Sequence, residues 1–181
     1  MPDHLFVVTG GPGSGKTSLI DALAALGYRT MPEAGRAIIQ DQIRIGGDAL
    51  PWADRAAFAE HMLGWELRSH REGRAMTGPV LLDRGVPDVI GYLELCGLSV
   101  PTHMRKAAEL YRYNRRVFIA PFWLDIFAQD AERKQTAEEA AATGCVLADV
   151  YVELGYELIQ LPRCSVSERA DFVRAQLATS A

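Results

Sequence analysis

The chain has 181 residues, with 19 Lys and Arg against 23 Asp and Glu and a formal net charge of −4. That length suggests one domain, long enough to bury a substantial core, and the mildly acidic balance argues against non-specific nucleic-acid binding. No apolar run approaches membrane-spanning length and the N-terminal residues carry no signal-peptide pattern. The three scattered cysteines, Cys96, Cys145 and Cys164, fit buried thiols in a reducing compartment, so the cytoplasm is the expected location.

In chain order, Leu5-Phe6-Val7-Val8 is apolar and β-branched and reads as a buried strand. Gly10-Gly11-Pro12-Gly13-Ser14-Gly15-Lys16-Thr17 follows and fits G-x-x-x-x-G-K-[ST], the phosphate-binding P-loop. Leu19, Ile20, Leu23 and Leu26 then recur at helical spacing until Gly27. The loop therefore lies between a strand and a helix N-terminus, where inward-turned N–H groups and the helix dipole favour an anion. Gly11, Pro12, Gly13, Ser14, Gly15, Lys16 and Thr17 are the expected nucleotide-binding residues. Lys16 can reach the β- and γ-phosphates, and the Thr17 hydroxyl can hold Mg²⁺.

Residues 28–31 form a short second strand candidate. Pro32-Glu33-Ala34-Gly35-Arg36 leads into an amphipathic stretch through Ile38, Ile39 and Ile43, closed by Gly46-Gly47. A long helical pattern runs over 51–74 through Phe58, Met62, Trp65 and Leu67, with charges on the other face. Pro79-Val80-Leu81-Leu82-Asp83 is an apolar strand ending in a carboxylate, followed by Arg84-Gly85. Helices are expected from Val89 to Gly97 and over 102–113, and a strand over 116–120. Residues 130–154 turn from polar to alanine-rich and helical. A last strand is expected over 156–161, then a capping box at Ser165 and Glu168 that opens a final helix. Strands alternating with helices predict a parallel sheet covered on both faces, with ligands outside the carboxyl ends of the strands.

Several of these residues can carry chemistry. Asp83 is the candidate Mg²⁺ carboxylate, or else caps the turn after its strand. Arg84 can hold a substrate or phosphate by bidentate hydrogen bonds, or pair with a nearby acid. Glu33 can orient an acceptor hydroxyl and take its proton, or complement a helix dipole. Arg36, one turn later, can bind an anionic substrate group or stand as a solvated charge. In Asp130-Ala131-Glu132-Arg133-Lys134, a basic segment can close over the phosphates with Arg133 on the transferring phosphoryl group, or form a solvated helix face. His61, His70, Trp52 and Trp65 can line a substrate pocket, but such residues are more often core or surface features of a helix.

With these residues collected, the chain resembles the AAA_28 family of P-loop proteins, often labelled predicted ATPases. The resemblance rests on the P-loop with its strand, on Pro32-Glu33-Ala34-Gly35-Arg36, and on Leu82-Asp83-Arg84-Gly85 with Asp88 beyond. It extends to Asp130-Ala131-Glu132-Arg133 and Leu154-Gly155-Tyr156-Glu157-Leu158. The wider likeness is to nucleoside and nucleotide kinases, including the ribosylnicotinamide kinase part of NadR-type proteins. It implies an α/β, three-layer αβα sandwich with a parallel five-stranded sheet in the order 2-3-1-4-5. It further implies a lid segment at about 122–140 bearing Arg133, catalytic roles for Lys16, Glu33, Asp83 and Arg133, Mg²⁺ near Thr17 and Asp83, and acceptor contacts at Glu33, Arg36 and Arg84. The expected activity is transfer of the γ-phosphoryl group of ATP to a small nucleoside- or nucleotide-like acceptor. Two rival readings are an ATP- or GTP-binding switch without an acceptor and a polynucleotide 5′-hydroxyl kinase using Arg112, Arg115 and Arg116.

Overall fold

The computed structural model describes residues 3–126 and 136–178. Its centre is β1 (Leu5–Gly10), buried along its whole length. The sheet is completed by β2 (Arg29–Met31), β3 (Val80–Asp83), β4 (Arg116–Ala120) and β5 (Glu157–Gln160). All pairings are parallel and the order is β2-β3-β1-β4-β5. This is the order implied by the family resemblance, in a P-loop kinase-like fold. Period-two alternation of β1 feeds both faces. Phe6 and Val8 pack with α1 (Lys16–Ala25) and α7 (Val166–Ala178) through Leu19, Leu23, Val173 and Leu177. Leu5 and Val7 pack on the opposite face with Tyr113, Val117, Tyr151 and Tyr156.

The remaining helices gather on that second face. They are α2 (Ala34–Ile45), α3 (Arg55–Arg74), α4 (Val86–Leu95), α5 (Thr102–Leu110) and α6 (Ala137–Glu153), with a short 3₁₀ turn at Leu124–Ile126. Ala59, Leu63, Val89, Ile90, Met104 and Val150 form the core between α3, α4, α5 and α6. Ile38, Ile39 and Phe58 join α2 to α3. No helix among the described residues is long and apolar enough to cross a membrane.

Local chemistry moves several boundaries. The third helix starts at Arg55 rather than near residue 51, because the Asp54 carboxylate caps it, accepting from the Ala57 N–H at 2.9 Å. The fifth ends at Leu110 rather than 113, because Asn114 pins the chain to the start of the central strand. Its N–H donates to the Leu5 carbonyl at 2.7 Å, and Tyr113 is driven into the core. The sixth begins only at Ala137, where Thr136 and Glu139 make a reciprocal capping box. The expected burial of the cysteines is corrected: Cys145, on the outer face of α6, is exposed, and Cys96, at the C-cap of α4, and Cys164, in the segment before α7, are half-buried. The interior of the proposed lid, including Arg133 and Lys134, lies outside the described residues.

Candidate active site

The phosphate loop leaves the carboxyl end of β1 and ends at Gly15, whose left-handed φ of 78° admits glycine readily and turns the chain into α1. Close packing demands the small residues before it. A Cβ on Gly10 would collide with the carbonyl of Ala120 on β4, and one on Gly11 with the carbonyl of Ala140 on α6. No side chain caps the N-terminus of α1, and no acidic residue occupies its first turn. Such a terminus keeps its N–H groups and positive dipole end for an anion.

Inside the loop, the Ser14 hydroxyl donates to the Gly11 carbonyl at 2.7 Å. Lys16 is buried and its ammonium donates to the carbonyls of Gly10 at 2.9 Å and Gly11 at 2.7 Å. Thr17 is exposed at the first turn of α1. From below, α7 contributes a residue that the sequence reading missed. Arg169 is 1% exposed; its Nη1 donates to the Ser14 carbonyl and its Nε to the Pro162 carbonyl, both at 2.8 Å. Its guanidinium lies 5.6 Å from the centre of the Trp123 ring. The detectable signal was an arginine within the apolar period of Ala170, Val173 and Leu177.

Next to this loop, β3 delivers Asp83. It is 4% exposed, paired in register with Val8 of β1, and its Oδ1 has no hydrogen-bond partner. Burial pushes its carboxyl up from the usual range, while the nearby Lys16 ammonium pulls it down. Arg84 follows with a left-handed φ of 81°, a conformation that costs a side-chain-bearing residue energy. The turn is held by the Arg84 N–H donating to the Val8 carbonyl at 3.1 Å, and it aims the guanidinium across the site.

There Arg84 joins two carboxylates. Its Nε is 3.2 Å from Glu33 Oε1 and its Nη1 is 3.0 Å from Asp88 Oδ1. The Arg84 and Glu33 side chains are only 15% and 14% exposed, so this is an inner pair rather than a surface one. Burial opposes the guanidinium charge, but Glu33, Asp88 and Asp83 together hold it firmly protonated. Glu33 is the N-cap residue of α2 yet makes no side-chain cap bond. Asp88 is the anchor of the set. It also accepts from the Thr9 hydroxyl at 2.6 Å, the Gly85 N–H at 3.0 Å and the Tyr151 hydroxyl at 2.6 Å. The chain Glu33–Arg84–Asp88 thus ties α2 to the strand that carries the phosphate loop and to α6.

Beyond this chain opens a cavity of about 630 Å³. Pro12 of the phosphate loop lines it, with Glu33, Ala34 and Ile39 from α2, Phe58, Met62 and Glu66 from α3, Arg84, Asp88 and Tyr92 from the β3–α4 region, and Thr143 and Leu147 from α6. Phe58 and Tyr92 meet edge to face at 5.4 Å between ring centres. Trp52 and Arg55 also line it. Arg36 is exposed on α2 and stands outside the lining, and His61 and Trp65 do so too. His70 is buried elsewhere, against Tyr111 and Tyr113.

The sequence reading also missed Glu66. It lies on the buried stripe of α3 formed by Ala59, Leu63, His70 and Gly73, not on the charged face. Its three- and four-residue spacing from Leu63 and His70 was the available signal.

Solved structures share this architecture. A deoxyadenosine kinase from M. mycoides, with products dCMP and a flexible dCDP bound, gives a TM-score of 0.69 at 10% identity, covering 97% of this chain and 99% of that chain. A thymidylate kinase from Ehrlichia chaffeensis gives 0.66 at 14% identity, covering 97% and 98%. A NadR protein in complex with NR gives 0.70 at 16% identity, covering 97% of this chain but 52% of that one, so the present chain spans about half its length. At such identities the likeness establishes the fold, and function must be argued from the site. No curated protein matches the chain by sequence. Residues 5–169 match the family AAA_28, described as an AAA domain, and the chain belongs to that family.

Proposed function

We propose that the protein is an Mg²⁺-dependent phosphotransferase that moves the γ-phosphoryl group of ATP to a hydroxyl of a small acceptor. The observation that carries this reading is the cavity beside the phosphate loop, with the Glu33–Arg84 pair on its wall. A switch that only binds and hydrolyses a nucleotide has no need of an acceptor-sized cavity at that position.

In this reading the loop amides and the α1 terminus bind the phosphates, and Lys16 exchanges the Gly10 and Gly11 carbonyls for β- and γ-oxygens. Glu33 receives the hydrogen bond of the acceptor hydroxyl, orients it toward the γ-phosphorus and takes its proton as the bond forms. Arg84 fixes the Glu33 carboxylate and adds positive charge beside the reacting oxygens. The residues present fit a hard cation. Asp83 has a buried oxygen without a partner, and Thr17 stands in the first turn of α1, directly after the loop. Among the described residues no three His, Cys, Asp or Glu gather to cage a metal. Mg²⁺ commonly takes one or two protein oxygens plus phosphates and water. When bound with ATP it neutralises charge on the β- and γ-phosphate oxygens. Arg133, which lies outside the described residues, is proposed to share that task as part of the lid of a single kinase-like domain; Arg36, expected at the acceptor, is exposed on α2 outside the cavity lining and is given no part in this step.

The test of Glu33 is kinetic. Glu33→Gln is expected to lower kcat by about 100-fold or more, the scale of general base catalysis, with little change in nucleotide affinity. An unchanged kcat removes Glu33 from the acceptor site.

A further inference from the structure

The proposed reaction gives no role to Glu66, the buried carboxyl among the cavity's charged groups. Glu66 is 4% exposed, lines the cavity, and makes no hydrogen bond or ion pair with a described residue. A buried carboxyl without a partner is costly and persists where something outside the fold completes it. Glu66 borders the cavity, so the cavity is the side from which such a partner can reach it.

The surroundings of Glu66 decide what that something is. Asp88, Asp83 and Glu33 each act on it with negative charge, and Glu139 of α6 lines the same space. Arg84 is the opposing charge, but its guanidinium is already shared between Glu33 and Asp88. The other lining arginine, Arg55, is exposed, and its Nε donates to the Pro51 carbonyl at 3.2 Å. A phosphate entering this space would meet more carboxylates than available cations, in a medium that screens poorly. Flat apolar walls are supplied instead by Phe58, Met62 and Tyr92. Burial pushes the Glu66 carboxyl well above the usual range, consistent with a site that resists added negative charge.

We propose that Glu66 makes the cavity select an acceptor that carries no phosphate and offers a hydroxyl or amino donor to its carboxyl, a nucleoside-like molecule rather than a nucleotide. The inference rests on reading the cavity as the acceptor site. Glu66 acts here as a specificity residue, not as a proton carrier.

The test uses adenosine, guanosine, cytidine, uridine, thymidine and their 5′-monophosphates. Binding is measured by calorimetry with a non-hydrolysable ATP analogue present, and phosphoryl transfer by labelled ATP, for the intact protein and for Glu66→Gln. At least one nucleoside is expected to bind, and its monophosphate to bind at least about tenfold more weakly. Glu66→Gln is expected to raise the Kd and acceptor KM about tenfold, the scale of one hydrogen bond to a charged group, to leave the KM for ATP unmoved and to narrow the nucleoside-to-monophosphate ratio. Tighter binding of the monophosphates, no binding of any nucleoside, or an unaltered ratio in Glu66→Gln overturns the inference. Selective nucleoside binding without transfer upholds Glu66 and contradicts the kinase reading. Transfer with a ratio indifferent to Glu66→Gln does the reverse.

Discussion

Glu33 and Arg84 are far apart in sequence and meet at 3.2 Å because β2 and β3 are neighbours in the sheet. At this scale the chain signalled its chemistry unevenly. The loop from Gly10 to Thr17 was legible because its function is local: the spacing of glycines and Lys16 sets the backbone shape by itself. Asp83 was legible as the end of an apolar run. The pairing of Arg84 with both Glu33 and Asp88 was not, because it depends on a left-handed residue that only the finished turn reveals. Glu66 was hidden for a related reason. A glutamate on a long helix reads as solvated, and only tertiary packing turns that stripe inward.

At the scale of elements, the phosphate loop is a shared construction. β1 starts it, α1 ends it, α6 presses on Gly11, and α7 reaches under it with Arg169. Arg169→Met would leave the Ser14 and Pro162 carbonyls without this donor in a buried place, at a cost of about 2–3 kcal/mol. The variant is therefore expected to melt at a lower temperature and to show a raised KM for ATP, measured together by thermal denaturation and steady-state kinetics. A variant that melts normally and binds ATP normally would show that the loop keeps its shape without α7. Helix ends were the least readable feature of the sequence, because they follow caps and anchors such as Asp54 and Asn114 rather than periodicity.

For the whole molecule, alternating strands and helices gave the layered class, while the strand order came through resemblance to known kinases. Periodicity specifies neighbours along the chain and says little about which strand lies beside which. The cavity also belongs to this scale, since four helices and the loops beside them line it. Its charge has a stability consequence. The folded pKa of Glu66 is raised above the ordinary 4.5, so its contribution to stability is fully present below that value and is lost as pH rises through the folded pKa. Glu66→Gln removes the ionisation and is expected to raise Tm by about 2–4 °C at neutral pH, the shift that about 1 kcal/mol produces in a domain of this size. The gain should shrink as pH falls and vanish well below the ordinary 4.5, where Glu66 is protonated in both states. A gain that persists unchanged at low pH would mean that ionisation of Glu66 is not its origin.

The fate of the γ-phosphoryl group distinguishes a kinase from a nucleotide switch. Purified protein is incubated with Mg²⁺ and γ-labelled ATP, with and without pooled nucleosides, nucleotides and cofactor precursors, beside Lys16→Ala. A labelled acceptor is expected with the intact protein, and a loss of about 100- to 1,000-fold in Lys16→Ala, with its fold retained by circular dichroism. Slow release of phosphate that ignores the pool, or full transfer by a well-folded Lys16→Ala protein, would contradict the kinase reading.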